Sequence, residues 1–530
     1  MSASAWLGEA PHLLIAPIVL PLLAGAGLLL LERRTPRGVA LLSLSATLAQ
    51  LALAILLASA AADGSVRSYL LGNWPAPFGI ALALDRLAAL MLVLTAMVAL
   101  ATVLYASGGD AKKGVHFHPL LQLQLMGLNG AFLTADLFNL FVFFEVLLIA
   151  SYGLLLHGGG VPRLRAALHY VTFNLAGSTL FLFAVALLYG TLGTLNMADL
   201  AQRVQAVPPE AVALVRAAAL LLLVVFAVKA ALLPLYFWLP DTYGAATAPV
   251  AALFAIMTKV GIYATARMTT LVFGADGGAA ASVAFPWLPA LALATLTLAA
   301  IGALAATRLR VLLSYLVVAS AGTLLLGLGL ATERTIAAAL FYLVPSTLVA
   351  AGLFLVGDRV SASRADADDG LDARPWHGPR AAVGVMFFLF ALSVAAMPPS
   401  AAFLGKALLL AAAREAAWRP VLVWSVVLTT SLLIIFALAR AGSTLFWKAE
   451  NRVESCAPPT PAQSAAVLWL LGAVLAAMVA AGPLARYTDD AAAQLVERRS
   501  YIDAVLGLSP VAPAFDVRER FGGKPAGGKP

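Results

Sequence analysis

Apolar residues run along this chain in blocks of roughly 20, the number a helix needs to cross a bilayer. Short polar connections separate them. Fourteen segments fit the pattern: Leu13–Leu31, Val39–Ala61, Leu87–Ala106, Leu120–Thr134, Leu137–Leu156, Ala167–Gly190, Ala211–Leu233, Ala248–Thr270, Phe285–Ala306, Val311–Leu330, Thr335–Val356, Ala381–Ala413, Val421–Phe446 and Ala465–Leu484. The fourth is short, as a tilted or partly re-entrant segment would be. The twelfth is too long for one straight helix. The pattern predicts an all-α polytopic membrane protein of about 14 transmembrane helices. Its membrane domain is expected over residues 1–486 and a polar C-terminal tail over 487–530, ending in a disordered, low-complexity stretch at Gly522–Pro530. The segment Asp358–Arg380 mixes both charge signs with Gly and Pro and reads as a loop.

Loop charges orient the helices, because cytoplasmic loops collect Lys and Arg. Arg33, Arg34 and Arg37 follow span one, Lys112 and Lys113 span three, and Arg163 and Arg165 span five. Arg308 and Arg310 follow span nine, Arg359, Arg364, Arg374 and Arg380 span eleven, and Lys448 and Arg452 span thirteen. The even connections carry mainly Arg67, Arg203, Arg334, Arg414 and Arg419. Odd loops are therefore expected inside and the N-terminus outside. An even span count puts the C-terminus outside as well, although Arg498, Arg499, Arg518, Arg520, Lys524 and Lys529 give the tail a cytoplasmic look.

Composition closes off the soluble alternatives. Charged residues are 11% and hydrophobic ones 62% of the chain, whereas a soluble domain carries about 25% charged residues. The pI of about 9.6 is accounted for by the loop cations, and no dense basic run points to nucleic acid. Cys456 is the only cysteine, which excludes an intrachain disulfide. The first apolar run lacks a basic leader and a convincing cleavage site, so it reads as a span and not as a signal peptide.

Against this background, ionisable residues inside spans stand out, since each costs roughly 2.5–3.5 kcal/mol to insert at the bilayer centre. Glu145 lies in the middle of FNLFVFFEVLLIASYG, too short a side chain to reach either face. Lys229 precedes Pro234 by five residues, and proline breaks a helix. Lys259 sits far from both ends of its apolar run, and Lys406 follows Pro398 and Pro399. Broken helices expose backbone groups that need protein or cavity partners. Two interrupted segments in matching positions point to inverted repeats; spans seven and twelve define repeats over spans 4–8 and 9–13. One Glu and three Lys compose either a proton relay or a set of static ion pairs. Weaker candidates are His169, which shares a face of span six with Asn174 and Ser178, and Ser314, Ser320 and Thr323, which suit helix–helix contacts. Asp85 and Arg86 read as interfacial, and Asp241 as a cap for the next helix. No phosphate-binding loop, metal-ligand cluster or nucleophile constellation is legible, so no cofactor, no metal and no redox or hydrolytic site of the chain's own is expected.

The stretch Lys229–Tyr263, KAALLPLYFWLPDTYGAATAPVAALFAIMTKVGIY, resembles the signature of the antiporter-like subunits of respiratory complex I and the Mrp-type cation/proton antiporters. Glu145 in its setting and LLSYLVVASAGTLLLGL resemble two further shared segments. FFEVLLIASYGLLLHGG together with FLGKALLL looks most like the D-subunit family of the Mrp/Pha monovalent cation/proton antiporters. The resemblance implies fourteen helices with the seventh and twelfth broken, a bacterial inner-membrane location, and membership of a hetero-oligomer. It also implies proton transport through Glu145, Lys229, Lys259 and Lys406, the last matching the terminal Lys of a second half-channel. The function so implied is proton translocation within a multisubunit Na⁺ or K⁺/H⁺ antiporter. The alternatives are a proton-pumping membrane subunit of an NADH–quinone oxidoreductase-like complex and a non-transporting assembly subunit. Two departures are visible. Many relatives carry Lys or His in span eleven where this chain reads Ser346–Ala350, with Pro345 expected to break that helix, and MPPSAAFLGK lacks a Gly usual before its aromatic residue.

Overall fold

The computed structural model describes residues 11–32, 35–364, 369–449, 451–452 and 458–507. The expectations for Arg33, Arg34, Cys456, Gly522–Pro530 and the tail cations from Arg518 onward lie outside them. Among the described residues the structure is mostly helical, with two small two-stranded sheets. Eleven helices are long and apolar enough to cross a membrane, and three shorter apolar helices accompany them.

In chain order the helices are α1 (Ala16–Leu31), α2 (Pro36–Ala61), α3 (Arg86–Ser107), α4 (Phe117–Leu133), α5 (Leu137–Leu156), α6 (Val161–Leu192), the short α7 (Met197–Arg203), α8 (Val212–Ala230) and α9 (Trp238–Ala245). Then follow α10 (Ala248–Arg267), α11 (Leu288–Ala305), α12 (Leu309–Gly329), α13 (Glu333–Ala362), α14 (Arg380–Val394), α15 (Ala401–Ala413), α16 (Pro420–Gly442), α17 (Pro461–Val479), α18 (Ala481–Val496) and α19 (Arg499–Leu506). Each segment expected from the apolar pattern overlies one of these helices or, for the seventh and twelfth, is continued by a second helix beyond a break.

The two breaks show how the chain keeps irregular backbone inside a membrane. Helix α8 ends where Ala231 turns left-handed, at φ +55°. The freed N–H of Leu233 then donates to Thr295 Oγ1 at 2.8 Å, and the Trp238 indole donates to the Val228 carbonyl at 3.1 Å. Helix α14 ends similarly at Ala396, φ +52°, and Ser400 caps α15 by accepting from the Phe403 N–H. Pro345 does not break its helix, contrary to expectation: α13 runs unbroken from Glu333 to Ala362. It is surrounded by neighbouring helices along nearly its whole length, and that packing holds the course that one lost hydrogen bond would loosen. The same helix also runs past Asp358, so the polar loop starts later than its composition implied.

Helices α10, α12 and α13 form the centre; α10 is buried throughout. The connections gather at two ends. At one, Asp358 accepts from Tyr105 at 2.8 Å and from Arg310 at 2.9 Å, and Arg308 meets Asp369 at 2.8 Å. Asp110 is buried there beside Lys113, and burial followed by the nearby Asp358 charge raises its carboxyl above the usual range. This is the end rich in Lys and Arg. At the opposite end an antiparallel hairpin, β1 (Arg67–Leu70) with β2 (Ala81–Leu84), lies beside α19. Gln494 of α18 donates to the Gly64 carbonyl, and Arg86 pairs with Asp490 at 3.2 Å. The C-terminal helices thus dock on the end opposite the basic loops, and the expected boundary at 486/487 falls within α18.

Asp85 and Arg86 stand at the start of α3, as the sequence implied, and are tied to distant parts of the chain. Asp85 is 2% exposed, caps α3 by accepting from the Ala88 N–H, and pairs at 2.6 Å with Arg267 of α10. Arg267 in turn lies over the Tyr501 ring of α19, 4.9 Å from its centroid. Asp85 is therefore a buried tie between α3, α10 and the C-terminal helix at the end of its span. Asp241 corrects an expectation: it stands exposed within the first turn of α9, while the residue before α10, Thr247, makes no side-chain cap.

Candidate functional site

Three helices bring the first group together. Glu145 on α5 accepts from Ser178 on α6. One turn earlier on α6, Asn174 Oδ1 accepts from Lys229 Nζ at 3.0 Å. Residues four apart face the same way on a helix, so α6 presents Ser178 and Asn174 as successive steps between the carboxylate and the ammonium. No direct Glu145–Lys229 ion pair forms among the described residues. Lys229 is 7% exposed, and its Nζ lies 5.8 Å from the centroid of the Phe144 ring. A cavity of about 10 Å³ adjoins it, bordered by Asn174, Tyr170, Trp238, Met257 and Val260; that is room for about one water.

The backbone of α10 comes close to Lys229 because position 261 is glycine. A Cβ there would stand 2.6 Å from the Ala230 nitrogen and 2.9 Å from the Lys229 Cβ. Met257 and Val260 on the same helix wall the Lys229 cavity, and between them in sequence lies Lys259, fully buried. Its Nζ donates to Ser320 Oγ of α12 at 2.8 Å and to Thr258 Oγ1 at 3.3 Å. Lys406 on α15 is 7% exposed and donates to Ser431 Oγ of α16 at 3.0 Å. Above it, a cavity of about 380 Å³ is bordered by α13, α15 and α18, with Glu333, Arg334, Glu415 and Asp489 at its rim. Burial, reinforced by the neighbouring Asp490, raises the Asp489 carboxyl above its usual range.

Each buried lysine is thus held by neutral oxygens: an amide for Lys229, hydroxyls for Lys259 and Lys406. Such a partner accepts a hydrogen bond from either the ammonium or the amine. A carboxylate would bind the charged form preferentially. The arrangement suits groups that gain and lose a proton.

Other expected residues stand apart. His169 is exposed on α6, away from the buried face that carries Tyr170, Asn174 and Ser178. Ser314 is buried but spends its hydroxyl on the Arg310 carbonyl, 2.7 Å away. Pro234, Pro398 and Pro399 lie in the two breaks. Among the described residues no group of three or more His, Cys, Asp or Glu side chains is placed to hold a metal ion. Sequence reasoning passed over Thr295 and Ser431, whose hydroxyls carry no signal until a partner is known.

Two broken helices, each bearing a buried lysine, on either side of a fully buried helix bearing a third define a polytopic ion-transport architecture. The chain belongs to the family described as NADH:quinone oxidoreductase/Mrp antiporter, transmembrane, whose profile matches residues 134–433, more than half its length. It is 42% identical to the D-subunit of a probable K⁺/H⁺ antiporter from Rhizobium meliloti, over 93% of this chain and 97% of that one. It is 36% identical to the D-subunit of the Na⁺/H⁺ antiporter from Alkalihalophilus pseudofirmus, over 93% and 99%. Among solved structures, a chain of the Mrp complex from Dietzia superposes with a TM-score of 0.83 at 28% identity, covering 93% of this chain and 99% of that one. A chain of respiratory complex I from Thermus thermophilus superposes with 0.75 at 25% identity, covering 92% and 99%.

Proposed function

We propose that this chain is the proton-translocating subunit of a multisubunit monovalent cation (Na⁺ or K⁺)/H⁺ antiporter in the bacterial inner membrane. The observation that carries the proposal is the line of ionisable groups on hydroxyl and amide partners, the half-buried Glu145 with Ser178 and the buried Lys229 with Asn174, Lys259 with Ser320, and Lys406 with Ser431. The full count is fourteen spans: the eleven long helices, α1, α4, and one broken span made of α14 and α15. Spans 4–8 and 9–13 form two inverted repeats, each contributing one broken helix. The basic end faces the cytoplasm. Glu145, Lys229, Lys259 and Lys406 carry the proton, and the cavity above Lys406 is the mouth of the second half-channel.

The chain works within an assembly. Glu145 is only half-buried, and Phe138, Val142 and Ile149 stand exposed along the same face of α5. A carboxylate open to hydrocarbon is costly, so a neighbouring subunit covers this face. The likeness to complex I favours a second reading, a proton-pumping subunit of a quinone-linked complex. Reconstitution decides between them. The purified assembly in liposomes is expected to exchange Na⁺ or K⁺ for protons, while this chain alone is expected to be inactive. Buried lysines supply no oxygen ligand for a hard cation. Robust exchange by the single chain, or an assembly that moves protons only with quinone reduction, would overturn the proposal.

Lys259 joins the two half-channels in this scheme. Lys259→Met keeps the length of the side chain and removes the charge. We expect exchange to fall by about a hundredfold, the low end of what a proton-transfer group contributes, with assembly intact on a native gel. Retained exchange would make Lys259 a packing residue.

A further inference from the structure

At the end opposite the basic loops, the outer face in the orientation above, the two halves of the molecule differ. A wide cavity stands open beside α15, which carries Lys406, whereas the outer end of α10, which carries Lys259, is covered. A lysine that passes protons and could be reached from both faces at once would drain the gradient. We infer that the C-terminal helices α18 and α19 are the outer seal above Lys259, fastened through the buried Asp85–Arg267 pair and the Tyr501 ring. The inference rests on the proton-transport reading above and adds to it the residues that keep the path closed on one side.

Two layers separate Lys259 from the outer face. The inner layer is apolar. One turn beyond Lys259 lies a cavity of about 10 Å³, bordered by Met91, Ile262, Leu324, Leu328, Leu340 and Leu343. The only hydroxyl in its wall is that of Tyr263, which donates to the Phe132 carbonyl at 2.7 Å. A buried water needs several polar partners, so this space stays dry and interrupts any file of water. The outer layer is ionic. About two turns beyond Lys259 on the same helix, Arg267 Nη1 meets Asp85 at 2.6 Å, and Nη2 donates to the Tyr263 hydroxyl at 3.2 Å. The Arg267 guanidinium carbon lies 5.3 Å from the Tyr263 ring centroid and 4.9 Å from that of Tyr501. All four side chains are buried. An ion entering from outside would have to part this pair before it met the dry layer.

Tyr501 belongs to α19, and further contacts hold that helix in place. Arg498, just before α19, donates to the Leu271 carbonyl at 3.2 Å and pairs with Asp276 at 3.1 Å, both beyond the end of α10. On α18, Gln494 accepts from the Arg86 N–H at 3.0 Å, and the Tyr487 hydroxyl donates to the Arg86 carbonyl at 2.9 Å. The two C-terminal helices are thus fixed to α3 and α10, the same helices that Asp85 and Arg267 join. Elsewhere on α18, Thr488 and Asp489 border the cavity of about 380 Å³ on the Lys406 side. One strap closes the first half and walls the opening of the second.

Labelling from one side tests the seal. The assembled complex is placed in right-side-out vesicles with Cys456→Ser and Ala266→Cys, so that this chain carries one thiol, at the wall of the dry cavity. A small charged methanethiosulfonate is added outside, and modification of the chain is followed by mass spectrometry. With the strap intact the thiol is expected to stay unmodified. Tyr501→Ala is expected to raise the outside rate by roughly thirtyfold, the factor that a desolvated cation–π contact contributes. Arg498→Ala is expected to act in the same direction, and Tyr501→Phe, which keeps the ring, to protect the thiol. Proton entry from outside without Na⁺ or K⁺ should rise in the same variants. Labelling with the strap intact overturns the inference, as does protection that survives Tyr501→Ala and Arg498→Ala together. Equal labelling in Tyr501→Phe and Tyr501→Ala, or a rise that is the same from both faces, also overturns it, because general loosening would then be the cause. Labelling needs no transport, so a wild-type complex that exchanges nothing would refute the transport reading and leave the labelling result standing.

Discussion

Glu145→Ala and Lys229→Ala are each expected to abolish proton-coupled cation exchange, a loss on the order of a hundredfold to ten-thousandfold, in complexes that assemble normally. The two residues sit on different helices and reach each other only through α6. Ser178 donates to Glu145, and Asn174 accepts from Lys229 at 3.0 Å. Removing either charge leaves a single polar partner to be satisfied, which costs about 1–3 kcal/mol when it stays buried. That is small for a chain with eleven membrane-length helices among its described residues, so lost transport is not explained by lost folding. The relay also predicts that the double variant is no worse than either single one, since groups that act as a unit lose their effect together. Exchange measured in vesicles with matched amounts of assembled complex checks this. Wild-type rates in either single variant would remove Glu145 and Lys229 from the path.

The distribution of what the sequence did and did not reveal follows from the solvent. Lipid permits so few charges that Glu145, Lys229, Lys259 and Lys406 announce themselves one by one, without any knowledge of their neighbours. Proline announces the breaks at Leu233–Pro234 and near Pro398 for the same reason, since a lost backbone bond must be answered. Partner choice was not legible. Thr295 and Ser431 are ordinary residues in apolar runs, and their importance comes from helices brought together from distant parts of the chain. Asp85 and Arg267 are 182 positions apart. Asp85 looked like the polar edge of its own span and Arg267 drew no reading, and only the packing of α3 on α10 shows them as a buried pair. Pro345 misled in the opposite direction, because its local effect was outweighed by helices on every side.

His169 shows the limit of periodicity. It precedes Asn174 by five residues, and a helix turns about 100° per residue, so the two point well apart. Asn174 and Ser178, four apart, share the buried face, and the structure gives that face to Glu145 and Lys229. Tyr170, one position from His169, is the residue that reaches the Lys229 cavity. A single step along the helix separates a lining residue from an exposed one.

Lys406→Arg is expected to stop exchange while leaving assembly intact, and the reason is chemical and not steric. Lys406 lies 7% exposed on the second half-helix of the broken span, its Nζ on Ser431 at 3.0 Å. The cavity of about 380 Å³ begins further along α15, at Leu408, and opens toward Glu333, Glu415 and Asp489. A proton handed to Lys406 from the protein interior must leave it again for that cavity. Lysine can do so because its ammonium releases a proton when its surroundings disfavour the charge. Arginine cannot, since it holds its proton with a pKa above about 12. Arginine nevertheless matches lysine in charge and in reach, and a lysine that merely extended to the membrane surface would be replaced by it without loss. The substitution therefore separates a carrier from an anchor. Exchange should fall by about a hundredfold or more in Lys406→Arg. Lys406→Met should fall equally, because loss of the proton and inability to release it block the same step. Full activity in Lys406→Arg, or activity in Arg well above that in Met, would show that the position needs a positive charge and not a transferable proton.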